Sequence, residues 1–352
     1  MAVQSKNLTR SGRSAVRSKG TSDVSLGDRL VRWLALLGAA FPLVAVVFIV
    51  AVLLINAFPS ILFNGWGFLY HQSWAFGNFY GNATVTRNGV TAPAGASYGA
   101  LPFIGGTLLS SVIAFLVGVP IAIGAALMLA EKTPGPLRRQ LSFFLELLAG
   151  IPSVIYGLWG LIVLGPFLSK SVYPVLSKLG GIIPWLGGPV GSGQGLLTAG
   201  LVLAVMIIPI VATTTRDLLA QVPTLPREGA LALGLTSWES VRYVSLPWVR
   251  SGIVGAAILG WVRALGETMA VLIVSGNGAN ALPANIYGPV STIAAAIVAL
   301  LDSAESDPTR LAVSALAEAG LILMGITLVT NILARFLVRR VSVTNLPIGR
   351  GI

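Results

Sequence analysis

Midway along one apolar run, Trp261-Val-Arg-Ala-Leu-Gly-Glu-Thr-Met-Ala270 sets Arg263 and Glu267 four residues apart. A charge at a bilayer centre costs about 2.5 to 3.5 kcal/mol on insertion scales, so an ionisable residue there needs a reason. On a continuous helix this spacing puts both side chains on one face, where they can pair. A guanidinium presents forked donors that suit phosphate or carboxylate oxygens. A nearby carboxylate holds it and tempers its charge, so that an anion is attracted without being trapped. The competing reading is an ion pair that only orients the helix. A second polar segment, Glu146-Leu-Leu-Ala-Gly-Ile-Pro-Ser-Val-Ile-Tyr-Gly-Leu-Trp-Gly160, brings the hydroxyls of Ser153 and Tyr156 to mid-depth, either to line a path or to satisfy nearby backbone. Glu146 either snorkels or pairs, and Glu318, in a later apolar run, is equally open. There is no Cys and a single His, His71. Thiol nucleophiles, disulfides and Cys/His metal sites are thereby excluded, and no cofactor is expected.

The elements that must position these residues are membrane helices. Of the 352 residues 55% are hydrophobic and only 10% charged, with a mean hydropathy of +0.85. A soluble domain carries about 25% charged residues. About 20 apolar residues cross the hydrocarbon core as a helix, and such windows run near Trp33 to Phe58, Leu101 to Ala130, Leu141 to Leu168, Gly195 to Thr215, Ser251 to Gly276 and Leu311 to Val338. The stretch Val290 to Leu301 is shorter and is followed by Asp302, Glu305 and Asp307, so a re-entrant or interfacial segment is expected there. Pro152 kinks the third span, while Gly150, Gly157 and Gly160 permit close helix approach.

The net charge of +11 is explained by topology, not by nucleic acid. Lys6, Arg10, Arg13, Arg17, Lys19, Arg29 and Arg32 precede the first span; Lys132, Arg138 and Arg139 lie between the second and third; Arg216, Arg227, Arg242 and Arg250 between the fourth and fifth; Arg335, Arg339, Arg340 and Arg350 at the end. The opposite side holds Arg87, Lys170, Lys178 and Arg310. Cytoplasmic loops retain positive charge, so both termini are expected inside. The first apolar run is longer than a cleavable signal segment, which makes it an expected signal anchor. The Ser-, Gly- and Arg-rich tail up to about Gly27 is expected to be disordered beside anionic lipid. Outside, residues 59–100 carry Trp66, Phe68, Tyr70, Trp74, Phe76, Phe79, Tyr80 and Tyr98. They suit an aromatic interfacial cap or, alternatively, a docking surface.

The segment from Pro226 to Pro247 is read as two short helices meeting at a glycine. Pro226 can start the first, Gly234 can end it in a left-handed conformation, and Thr236 and Glu239 have the spacing of a capping box for the second. Such a joint is a rigid knob. Its pattern resembles the EAA loop of ABC transporter permeases: Glu228, Gly229, Ala230, Gly234, Val244, Leu246 and Pro247 occupy the characteristic places. Gly229 stands where Ala is usual, a difference of about 1 kcal/mol in a helix. The resemblance implies that the loop docks into a separate ATPase subunit, since the chain has no G-x-x-x-x-G-K-[ST] of its own.

The strings Glu146 to Gly160, Arg263-Ala-Leu-Gly-Glu-Thr-Met-Ala270 and Leu316-Ala-Glu-Ala-Gly-Leu-Ile-Leu323 are similar to the PstC family of permease subunits of the bacterial phosphate importer. The likeness runs from about Tyr98 to Arg340. The sister PstA family usually reads Arg-Ile-Ala-Gly-Glu-Thr-Ala-Pro at the charged span. The resemblance implies an all-α protein of six transmembrane helices with the type I ABC importer permease (MetI-like) fold. It also implies a part in phosphate transport for Arg263 and Glu267. The implied partners are a PstA-like sister permease, a PstB-like ATPase dimer, a PstS-like external phosphate-binding protein and the bilayer, with no nucleic acid. The expected organisation is a basic tail over 1–32, the first span and aromatic loop over 33–100, the permease core over 101–338 with the coupling loop at 222–250, and a second tail over 339–352. The alternatives are a sulfate or molybdate permease or the sister phosphate permease subunit and, from other classes, a secondary phosphate transporter and an intramembrane enzyme. The coupling loop argues against the secondary transporter, and the lack of a catalytic constellation against the enzyme.

Overall fold

A computed structural model describes residues 26–79, 81, 83–278 and 280–342. The expectations for Lys6 to Lys19, Tyr80 and Arg350 therefore lie outside the described residues. Among those described, six helices are long and apolar enough to cross a membrane. The chain divides into two compact units, Met1–Ala51 and Val52–Ile352. The described part of the first is the start of helix α1 (Leu26–Asn64), with Leu30, Trp33, Phe41 and Phe48 all exposed. A helix that is apolar on every side belongs in a protein core or a bilayer, and one this exposed suits the bilayer.

The second unit is built around α5 (Leu196–Ala220), the most enclosed of the membrane-spanning helices. It is flanked by α2 (Leu101–Lys132) and by α7 (Ser237–Leu265). Small residues allow this closeness: a Cβ on Gly200 would stand 2.5 Å from Ile113, and one on Gly260 2.6 Å from Val211. In lipid no hydrophobic force draws helices together, so contact of this kind supplies the association. Around it lie α3 (Gly135–Ala149), α4 (Ser153–Gly181), α6 (Thr224–Ala232), the short α8 (Met269–Val274), α9 (Ile293–Glu305) and α10 (Leu311–Ser342).

The third and fifth spans differ from their expected bounds. Leu141 to Leu168 is not one helix. α3 stops at Ala149, the chain breaks over Gly150, Ile151 and Pro152, and the spanning helix is α4. Proline at the break cannot donate to a preceding turn and excludes the helical conformation from Ile151. Likewise Ser251 to Gly276 is interrupted at Gly266, Glu267 and Thr268, between α7 and α8. The stretch expected at Val290 to Leu301 forms α9, which starts at Ile293 and takes in Asp302 and Glu305. α9 has 13 residues, about 20 Å at 1.5 Å per residue, short of the ~30 Å core. Asp307, almost fully buried, then accepts from the amides of Thr309 and Ala312, each at 2.9 Å, and turns the chain into α10.

The loop between the first two spans folds into a small cap. Antiparallel β1 (Trp74–Ala75) and β4 (Ser97–Tyr98) pair Trp74 with Tyr98, while β2 (Thr84–Arg87) and β3 (Val90–Pro93) pair Arg87 with Val90. Asn88 and Gly89, with φ of 48° and 80°, close the second hairpin as a two-residue loop with positive φ requires. Edge-on ring contacts join Trp74 to Phe68, Tyr98 and Phe103 at centroid distances of 6.2, 5.3 and 5.1 Å. This cluster shares a core with Ile293, Leu311 and Leu316. Most of the aromatic side chains thus hold the cap to α9 and α10, whereas Trp66 and Tyr70 face outward.

Candidate functional site

The two helix breaks stand side by side. α4 and α8, which begin just after them, are in contact, and a Cβ on Gly157 would come within 3.0 Å of the Ala270 Cα. Interrupted helices are tolerated at membrane depth only where other protein groups or a water-filled cavity satisfy the freed backbone. Here the Tyr156 hydroxyl donates to the Leu148 carbonyl at 2.7 Å, across the first break. Ser153 opens α4 and is half-buried.

Arg263 is the third residue from the end of α7, two before Leu265, and lies within electrostatic reach of Tyr156. Glu267 lies beyond that end, in the break. The expected pairing on one helical face therefore does not form: the helix stops at Leu265, and among the described residues no ion pair or hydrogen bond engages either side chain. Arg263 is exposed and Glu267 half-buried. An exposed guanidinium halfway along the apolar run is untenable against lipid and must face water or another subunit. The structure thus gathers Arg263, Tyr156, Ser153 and Glu267 around one doubled break, although by a route that helical periodicity did not indicate.

At the other end of α7 is the coupling loop. α6 runs Thr224–Ala232 after Pro223, two residues earlier than Pro226 would suggest. Pro226 still falls in the first turn, where no amide has a helical partner. Gly234 has φ of 89°. Its N–H donates to Leu231 at 2.9 Å and that of Leu235 to Ala230 at 3.2 Å, which is a Schellman termination. The capping box forms as expected: Glu239 N–H donates to the Thr236 hydroxyl at 3.3 Å, and Thr236 N–H donates to the Glu239 carboxylate at 2.8 Å. Glu228, Gly229 and Gly234 are exposed and Ala230 is buried. Leu225, Leu231, Leu233 and Trp238 project apolar side chains outward. Leu246 is half-buried and Pro247 exposed, both inside α7, not ahead of it. The second short helix is thus the start of the spanning helix itself, passing through a π-helical turn at Val241–Ser245.

Sequence reasoning missed what ties the loop down. Arg227 donates to the Glu131 carboxylate at 2.6 Å and to the Leu219 carbonyl at 3.3 Å, locking α6 to the ends of α2 and α5. Glu146 pairs with Arg216 at 3.2 Å, and Arg216 also meets Asp217 at 2.8 Å. Buried Glu318 accepts from the Ser60 hydroxyl at 2.6 Å. None of these partners is close in sequence to the residue it satisfies except Asp217, so no local pattern announced them.

Residues 118–343 match the family model of binding-protein-dependent transport system inner membrane components. The phosphate transport system permease protein PstC 1 of Mycobacterium tuberculosis is 55% identical over 333 residues, covering 94% of this chain and 98% of the relative. PstC proteins of Mesorhizobium japonicum and Haemophilus influenzae are 41% and 39% identical, covering 78% and 87% of this chain and 83% and 92% of their own lengths.

Proposed function

This chain belongs to the binding-protein-dependent transport system inner membrane components and, among them, to the PstC permeases, a multi-pass inner-membrane family, and from that premise we propose that it forms half of the translocation pathway of an ATP-driven inorganic phosphate importer. Its complement is a similar sister permease, a separate ATPase dimer on the cytoplasmic face and an external phosphate-binding protein. Both termini lie in the cytoplasm, and the domain division is the one set out above, with the coupling loop at 222–250.

One observation carries the mechanism. A single helical run, Ser237–Leu265, joins the glycine-jointed loop to the turn that bears Arg263. At 1.5 Å per residue this is a rod of roughly 40 Å. The ATPase grips the exposed apolar side chains of α6 and its joint, with Glu228, Gly229, Ala230 and Gly234 forming the knob and Leu246 and Pro247 belonging to the rod. Movement of the knob is delivered to Arg263 because the capped joint and the Glu131–Arg227 pair leave little slack. Arg263 compensates the one to two negative charges that a phosphate carries near neutrality. Glu267, in the break between α7 and α8, limits how tightly the anion is held, and Ser153 and Tyr156 line the path beside it. A passing phosphate thus meets a guanidinium fork instead of bare hydrocarbon.

Reconstitution of the complete transporter tests this. ATP-dependent phosphate uptake is expected to collapse in Arg263→Gln while the complex still assembles and binds its ATPase. Uptake at the wild-type rate in that variant would remove Arg263 from the pathway.

A further inference from the structure

A cluster of four guanidinium groups lines a cavity that shares no residue with the doubled break. Between α3, α5 and α6 is a cavity of about 540 Å³ into which Arg138 and Arg139 of α3, Arg216 of α5 and Arg227 of α6 all project, with Glu131 as the one lining carboxylate. Basic residues that serve only to orient a membrane protein can lie anywhere on a cytoplasmic surface. Four converging from three helices on one concavity is a different arrangement. It concentrates positive potential where low-dielectric walls focus it.

The internal bonds of these residues leave donors over. Arg227 uses one terminal nitrogen on Glu131 and Leu219, yet its Nε–H is buried and among the described residues has no hydrogen-bond partner. A buried N–H in that condition costs free energy unless something accepts from it. Arg216 is occupied by Glu146 and Asp217. Arg138 donates only to the Thr133 carbonyl, at 3.2 Å, and among the described residues no hydrogen bond or ion pair engages Arg139. With Glu146 and Asp217, which hold Arg216, counted in, three carboxylates face four guanidinium groups, and unspent donors remain on Arg138, Arg139, Arg227 and the second terminal nitrogen of Arg216. Ser142 and Thr224 add hydroxyls to the lining. Planar forks matched to tetrahedral oxyanions favour phosphate over a halide or a carboxamide. The next turn of α3 carries exposed Phe143 and Phe144, so the cavity adjoins an apolar surface.

We propose that this cavity binds a phosphate group, supplied either as the headgroup of an anionic phospholipid or as the free anion, and that the occupant clamps α3 against the coupling helix. The cavity is separate from the transport path at Arg263. Bridging Arg139 and Arg227 through one anion would stiffen α6 at its base, next to the Glu131–Arg227 pair.

The test measures binding and not uptake, so its failure and a failure of the transport assignment are distinguishable. The full transporter carries Arg263→Gln throughout, which removes the pathway guanidinium. In one arm, retention of labelled phosphatidylglycerol after delipidation is compared with that of phosphatidylcholine. In the other, equilibrium binding of labelled orthophosphate is measured in phosphatidylcholine nanodiscs. Arg138→Gln with Arg139→Gln is expected to weaken binding about tenfold or more in one arm, and the affected arm identifies the source. Lys132→Gln with Arg242→Gln removes the same charge outside the cavity and is expected to leave both arms unchanged. If the first pair does not assemble, Arg139→Gln alone carries the comparison, because that side chain has no internal partner to lose. Equal binding by wild-type and variant in both arms, or an equal loss in the control pair, overturns the proposal.

Discussion

Two glycines of the coupling loop are predicted to respond in opposite directions to the same substitution. Gly234 has φ of 89°, and nothing lies within 4 Å of a Cβ built there. Gly234→Ala therefore meets no clash, and its whole cost is the left-handed backbone, about 1 to 2 kcal/mol. Gly229 lies inside α6 with ordinary helical geometry and equally open space around its Cβ. Gly229→Ala is expected to stabilise the helix by about 0.5 to 1 kcal/mol, mainly by restricting the unfolded chain. Hydrogen–deuterium exchange of the complex reads both changes locally. Amides of residues 224–235 are expected to exchange about five- to thirtyfold faster in Gly234→Ala and about two- to fivefold slower in Gly229→Ala. ATP hydrolysed per phosphate moved should rise in the first variant, since the loosened joint turns without driving the rod. Faster exchange in Gly229→Ala, or unchanged exchange in Gly234→Ala, would refute the argument that backbone conformation at the joint sets its stiffness.

Arg263→Lys is expected to restore only part of the uptake lost in Arg263→Gln, because an ammonium keeps the charge and loses the fork; flux assays at saturating external phosphate check this. Arg227→Gln leaves Glu131, which is about four-fifths buried, without its cation. The expected result is weaker ATPase affinity and a lower assembly yield, partly rescued by Glu131→Gln, since a removed partner costs more than a removed pair. Tyr98 is held in its neutral form by burial and, secondarily, by the charge of Asp307, which raise its pKa above the usual phenol value. Its hydroxyl is also buried with no hydrogen-bond partner among the described residues, so Tyr98→Phe is expected to cost little. Because the folded-state value is the raised one, the tyrosine's contribution is intact below about pH 10 and stability declines above it. The Phe variant should show a weaker alkaline loss in thermal melts.

How far the sequence went differs between elements. The membrane class and the six spans followed from hydropathy, because a bilayer leaves a chain few choices about where its apolar runs go. The Thr236–Glu239 box and the Gly234 joint were also legible, since capping and positive φ are settled by residues within four positions of each other. Such local rules apply whatever surrounds them. The break at Gly150–Pro152 was legible only as a kink at Pro152, and the break at Gly266–Thr268 was not legible at all. A window that sums hydropathy over twenty residues does not register an interruption of three, and Gly266, Glu267 and Thr268 have no proline to mark them. What makes that break tenable is the contact of α8 with α4, between segments more than a hundred residues apart. The same holds for Arg263, whose helical partner four residues on proved to lie beyond the helix. It holds too for Glu131 and Arg227, separated by 96 residues and joined at 2.6 Å. Charges in a low-dielectric setting find whichever partner the packing brings within reach, and that choice is made by the tertiary structure alone.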